Sequence, residues 1–205
     1  MIRLIAVLTT AFTVCFAVLY KVYSTKIFLT LAITFGVTAY HFAMRLTVGM
    51  LFNRFMGNRA DYNSPWYRLR PWENKLYKAL NVKRWKKYLP TYDPSLFDPS
   101  LHSWDEIAQA MCQAELVHET IFALSFLPIV ATIWFGSPAT FIITSVLAAA
   151  LDLSFAVMQR YNRPRVIKHI KAQASRKSKG EISHDRQGSD MEDKQRKAPA
   201  PYTRI

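Results

Sequence analysis

The stretch Thr120–Leu151, TIFALSFLPIVATIWFGSPATFIITSVLAAAL, carries no charged residue and is divided in its middle by Gly136, Ser137 and Pro138. Each half is about 16 residues, close to the length of helix that crosses roughly 30 Å of hydrocarbon. A buried helix of a soluble protein keeps a polar face, and neither half has one. The segment therefore reads as two spans joined by a tight turn. The pattern recurs upstream: Leu4 to Tyr20 is uncharged, and Ile27 to Met44 contains only His41 as a group titrating near neutrality. The expected fold is all-α, an integral membrane protein with four transmembrane helices. Arg3 before a short apolar core is also a feature of signal peptides, but no small-x-small cleavage pattern follows, so a retained helix is expected.

Charge is distributed as unevenly as hydrophobicity. Of the basic residues that give the 205-residue chain its net charge of +13, eleven lie between Arg45 and Lys87 and thirteen between Arg160 and Arg204. Basic residues near span ends are held on the cytoplasmic side. The expected organisation is a transmembrane hairpin over 1–45, a cytoplasmic interfacial loop over 46–118, a second hairpin over 119–158 and a basic tail over 159–205. Both termini are then cytoplasmic, the membrane is the plasma membrane, and the polar tail is expected to be disordered beyond about residue 172. Cys15 in a span and Cys112 in the loop are expected to be free thiols.

The loop is not a simple linker. SPWYRLRPWENKLYKALNVKRWKKYLP, residues 64–90, interleaves Trp66, Tyr67, Trp72, Tyr77 and Trp85 with basic side chains. That mixture suits an amphipathic helix in the headgroup layer, with rings at the interface and cations on anionic lipid. Nucleic-acid binders also mix basic and aromatic residues, but a position between spans favours the membrane and no nucleic-acid partner is expected. Ser103 followed by Glu106 forms a capping box that starts a helix running into the third span.

Three features stand out as sites for chemistry. Glu115 and His118 are three apart, so on a helix they share a face at the basic boundary. A carboxylate beside an imidazole fixes its tautomer and raises its basicity, as a general base requires; the same spacing also marks a polar helix end. Glu-x-x-His is half of a di-iron motif, but no second pair is present and no metal site is expected. Asp152 lies within the fourth apolar block, where a carboxylate needs a partner: Arg160, Arg163, His41 and Arg45 are the candidates. Finally, QRYNRPR at 159–165 concentrates Arg160, Arg163 and Arg165 with Asn162, donors suited to phosphate or carboxylate. Pro164 is expected to stop or kink the helix there.

NVKRWKKYLP (81–90), QAELVH (113–118) with Pro128 in the apolar run after it, and QRYNRPR together resemble the glycosyl-4,4'-diaponeurosporenoate acyltransferase family over roughly residues 66–170. The resemblance implies a small membrane enzyme that esterifies a fatty acyl group onto the glucose of a glycosylated carotenoid, at the last step of staphyloxanthin-type synthesis. It carries over to Trp85, Lys86, Glu115, His118, Gln159, Arg160, Tyr161, Asn162, Arg163 and Arg165. Gln113 departs from a pattern in which a basic residue usually precedes the Ala-Glu pair.

On this reading His118, oriented by Glu115, takes a proton from a sugar hydroxyl attacking an activated acyl carbonyl. Lys86, Arg160, Arg163 and Arg165 hold the phosphates of an acyl-CoA or other activated donor. Trp85, Asp152 and Asn162 complete the substrate-binding set, with Asn162 a candidate oxyanion donor. No tightly bound cofactor is expected. The partners are membrane lipids, the acyl donor and a glycosylated lipid-like acceptor. A different class of function also fits the charge: a non-enzymatic membrane scaffold whose basic loop and tail recruit anionic lipid or a protein. A small transporter is a weaker third reading, resting on Asp152 and His41.

Overall fold

The structure is a computed structural model that describes residues 2–90 and 93–196, with side chains as far as Ser178. Among these residues seven α-helices run in chain order: α1 Ile2–Tyr23, α2 Lys26–Met56, α3 Pro71–Ala79, α4 Val82–Trp85, α5 Trp104–Leu124, α6 Thr132–Phe135 and α7 Pro138–Arg196. Short 3₁₀ turns fill the loops, among them Pro65–Tyr67 and Leu127–Ala131. Four helical segments are long and apolar enough to cross a membrane, and the described residues contain no strand.

The side chains are sorted in the manner of a membrane protein. Leu4, Val7, Val14, Ile143 and Leu147 are exposed, whereas Glu115, Asp152 and Arg163 are buried. Hydrocarbon solvates the first set; the second is kept among its partners inside the bundle. Threonine hydroxyls of the first span bond locally: Thr9, Thr10 and Thr13 donate to carbonyls four residues back at 2.7–2.8 Å.

The α1–α2 hairpin turns at Ser24, whose N–H still donates to the Tyr20 carbonyl at 2.8 Å and whose positive φ then redirects the chain. Phe35 packs on Phe12 and Phe16 with centroids 5.1 and 5.5 Å away. Gly36 allows the closest approach, since a Cβ there would meet the Thr13 methyl at 3.3 Å, the use small residues have in membrane helix pairs. The 31 residues of α2 span about 46 Å, more than hydrocarbon requires. The helix thus continues past the expected end of the first hairpin, to a left-handed cap at Gly57.

The capping box appears as expected at the start of α5: the Ser103 N–H donates to Glu106 at 2.8 Å and the Glu106 N–H to Ser103 at 3.2 Å. That helix ends at Leu124 because Pro128 has no N–H for the Leu124 carbonyl. The phenol of Tyr40 on α2 donates there instead, at 2.9 Å, and the chain continues through the 3₁₀ turn and α6.

Three expectations need correction. The aromatic-basic segment is not one amphipathic helix: Asn81, with φ of 51°, separates α3 from α4, and Tyr67 and Tyr77 point inward while Trp66 and Trp72 stay exposed. Pro164 does not end α7; it removes a single backbone bond, from a helix anchored just before it by Arg160 and Arg163. Nor does helix stop near residue 172: α7 extends to Arg196, through Lys, Arg, Gln and Glu residues with good helix propensity. The KAPAPYTRI end of the expected disordered tail lies outside the described residues.

Candidate active site

Two charged clusters sit one above the other between α5 and α7. The first surrounds Glu115, fully buried on α5. Arg160 donates to it at 2.6 Å, and Arg163 bonds its other oxygen. Arg160 also grips Glu73 of α3 through two nitrogens at 2.8 and 3.0 Å, and reaches the carbonyls of Trp66 and Arg68. Arg163 bonds the Tyr67 carbonyl and lies over the Tyr67 ring, 4.9 Å from its centroid. Two arginines thus face two carboxylates, and the loop between α2 and α5 is bound to the end of the bundle through them.

The surroundings shift the loop's titrating groups. Burial pushes the Glu73 carboxyl up, but hydrogen bonds from Arg160 and Tyr77 outweigh it and hold Glu73 below the usual carboxylate range. Tyr77, buried and donating to Glu73 at 2.9 Å, is raised well above an ordinary phenol. Burial, with the nearby Cys112 and Glu115, raises Tyr67 to about 12.

The second cluster lies deeper. His118 Nδ1 is 3.0 Å from Asp152 Oδ1, and the other oxygen of Asp152 pairs with Arg45 of α2. Arg45 also donates to the His41 carbonyl at 3.1 Å and the Ala148 carbonyl at 3.4 Å. The imidazole stacks on Phe155 with a centroid distance of 4.8 Å, which fixes its plane. The Asp152 side chain is 2 % exposed and that of His118 24 % exposed. A carboxylate at Nδ1 favours the tautomer with hydrogen on that nitrogen and leaves Nε2 as a proton acceptor. The cluster has the geometry of an oriented general base.

Sequence reasoning placed the right residues near one another but paired them differently. The carboxylate bonded to His118 is Asp152, not Glu115. A sealed carboxylate needs full counter-charge, which two arginines supply and a neutral imidazole does not. Of the four candidate partners of Asp152, Arg45 is the one that pairs with it; both ring nitrogens of buried His41 lack a partner, and Arg160 and Arg163 lie on the first cluster. Those two arginines are therefore held in internal ion pairs rather than presented together to a phosphate. Asn162 accepts from Lys86 and lies ten residues beyond Asp152, about 15 Å of helical rise, too far to serve an oxyanion at His118.

Lys86 and Arg165 flank the Tyr161 ring at 4.9 and 4.4 Å. The Lys86 ammonium is held below its ordinary range by burial and by the charges of Arg165 and Lys83. The half-buried Trp85 uses its indole N–H on the Leu80 carbonyl at 3.0 Å, closing a local turn. Cys112 is fully buried and Cys15 exposed, both as free thiols. Among the described residues no group of three or more His, Cys, Asp or Glu is arranged around a metal position. Sequence reasoning missed Glu73; its one signal is that it is the only acidic residue in the basic stretch 64–90.

The family model described as glycosyl-4,4'-diaponeurosporenoate acyltransferase matches residues 63–172, just over half of the chain. The chain belongs to that family. It is a membrane acyltransferase of carotenoid biosynthesis, which removes the scaffold and transporter readings as primary functions. Membership implies an acyl donor and a glycosylated acceptor. The matched segment holds His118, Asp152 and the whole Glu73–Glu115–Arg160–Arg163 cluster, whereas Arg45 comes from α2, outside it. No curated protein and no solved structure matches the chain. Gln113, the departure noted above, has a local duty: its side-chain oxygen accepts the Asn58 N–H at 2.7 Å. Asn58 follows Gly57 in a left-handed turn, and a basic side chain offers no acceptor for that N–H.

Proposed function

We propose that this acyltransferase esterifies a sugar hydroxyl of a glycosylated carotenoid or similar glycolipid, using His118 as general base with Asp152 as its orienting carboxylate. The observation that carries this reading is the 3.0 Å contact between His118 Nδ1 and a sealed Asp152, with the imidazole partly open. His118 Nε2 takes the hydroxyl proton as the sugar oxygen attacks the acyl carbonyl carbon. The bond from that carbon to the donor's leaving atom, sulfur in a CoA thioester, then breaks, and the proton passes from His118 to the leaving group.

An apolar cavity of about 720 Å³, lined by Thr13, Gly36, Tyr40, Pro128 and Phe141 among others, lies between α1, α2 and α7. Tyr40 in its wall bonds Leu124, six residues after His118 and thus about 9 Å along α5. Its size and lining suit a hydrocarbon chain whose polar end reaches His118. The charge distribution supports a plasma-membrane protein with the site and both termini at the cytoplasmic face.

The test has two parts. Mass spectrometry of lipid and pigment extracts should show an acylated glycolipid that disappears when the gene is removed. His118→Ala should restore neither the product nor turnover while inserting normally in the membrane; full turnover in that variant ends the assignment.

A further inference from the structure

A second cavity, about 600 Å³, opens between the loop after α2 and the basic end of α7. Its wall includes Arg68, Arg163, Lys168 and Lys171, with Tyr62 and Tyr67, and no carboxylate. Arg68, Lys168 and Lys171 are exposed. Arg163 differs from them, being 1 % exposed. Two of its nitrogens are engaged by Glu115 and the Tyr67 carbonyl, but its buried Nε–H has no partner. A buried donor without an acceptor is costly, and the residue that carries it forms part of this cavity's wall.

The geometry points to a phosphate-binding site here: a phosphate-bearing group accepts from Arg163 Nε–H and is held by Arg68, Lys168 and Lys171. Guanidinium and ammonium groups gathered around a concave wall match the charge and multiple acceptors of a phosphate. Tyr62 is held in place by donating to Asp105 at 2.7 Å, and adds an aromatic ring to the wall. Lys86 and Arg165 are the weaker candidates, because they already lie on the Tyr161 ring and Lys86 already bonds Asn162.

The position also suits the reaction. Arg163 is eleven residues beyond Asp152 on α7, about 17 Å by helical rise. In a CoA thioester the phosphates are separated from the reacting carbonyl by the extended pantetheine arm, so phosphates in this cavity leave the carbonyl free to reach His118. The donor's identity rests on the acyl-transfer reading; phosphate binding itself does not. The headgroup of an anionic phospholipid presents the same chemistry from the membrane side.

Free coenzyme A titrated onto the full chain in phosphatidylcholine nanodiscs tests the site. The wild type should bind saturably, and a Lys168→Gln/Lys171→Gln variant at least tenfold more weakly. Lys75→Gln/Lys78→Gln, which removes the same charge from α3 outside the cavity, should bind as the wild type does. A parallel series in phosphatidylglycerol nanodiscs identifies the source: if only this lipid is retained by the wild type and lost by the cavity variant, the phosphate is a headgroup and the site stands. Equal binding by wild type and cavity variant in both series, or equal weakening by the α3 control, overturns it. His118→Ala should bind coenzyme A normally while losing turnover. Retained turnover there removes the catalytic assignment and leaves the cavity's result untouched.

Discussion

Glu115 and Asp152 are both carboxylates sealed from water on facing helices, and their neighbours give them different duties. Glu115 is held by two arginines, so Glu115→Gln leaves buried positive charge without a counter-ion and should lower stability by about 3–5 kcal/mol. Turnover per folded molecule should change little; reversible unfolding in detergent beside a folded-fraction assay separates the two. Asp152→Asn should instead act on chemistry. An amide can donate to His118 Nδ1 and so favour the tautomer with hydrogen on Nε2, and turnover should fall by about 10²–10⁴-fold, the usual value of general-base catalysis. Wild-type turnover in Asp152→Asn would show that the carboxylate is only an ion-pair partner of Arg45. His118 stood out in the sequence because it is titratable and lies beside an apolar run. Asp152 stood out as well, but its pairing with His118 did not, because proximity at three residues along α5 says nothing about what α7 and α2 bring across the interface.

At the scale of elements, proline positions were legible and their consequences only partly so. Pro128 marks the end of α5, but nothing in the sequence shows that Tyr40, 84 residues earlier by chain separation, bonds the freed Leu124 carbonyl. Tyr40→Phe should cost about 0.6–1 kcal/mol. In a Pro128→Ala background the new N–H at 128 has access to that carbonyl, so the same substitution should cost close to nothing. A double-mutant cycle of unfolding free energies measures the difference, and additive effects would mean that the phenol does not replace the missing donor. Pro164 illustrates the opposite outcome. The local rule favours a break, yet α7 continues through it, with the ion pairs of Arg160 and Arg163 fixing the turn just before the proline. The run 64–90 stood out as a mixture of rings and cations from its composition, but which rings turn inward depends on Glu73 finding Arg160 at a distance of 87 residues.

Across the whole molecule, the four apolar segments and the basic asymmetry follow from composition because a bilayer acts on every residue of a span in the same way. The pairing of clusters that joins the loop to the bundle depends on long-range contacts and was not legible. That joint has a pH window. Glu73 is held below its ordinary value of 4.5, so its contribution is present above that pH and is lost as pH falls through the lowered folded-state value. Tyr77 is raised above its ordinary value of 10.0, so its contribution is complete below that pH and is lost as pH rises through the raised value. Limited proteolysis of the 63–90 loop should therefore be slowest between these limits and accelerate in acid, with Glu73→Gln abolishing the acid branch. An acid branch that persists in Glu73→Gln would place the sensitive group elsewhere.

The most direct test of the account is the acyl-transfer rate of His118→Gln, purified and reconstituted with an acyl-CoA and a glycosylated carotenoid. The account predicts a rate lower by at least about 10²-fold, with the melting temperature and coenzyme A binding of the wild type. A rate within twofold of wild type would contradict it.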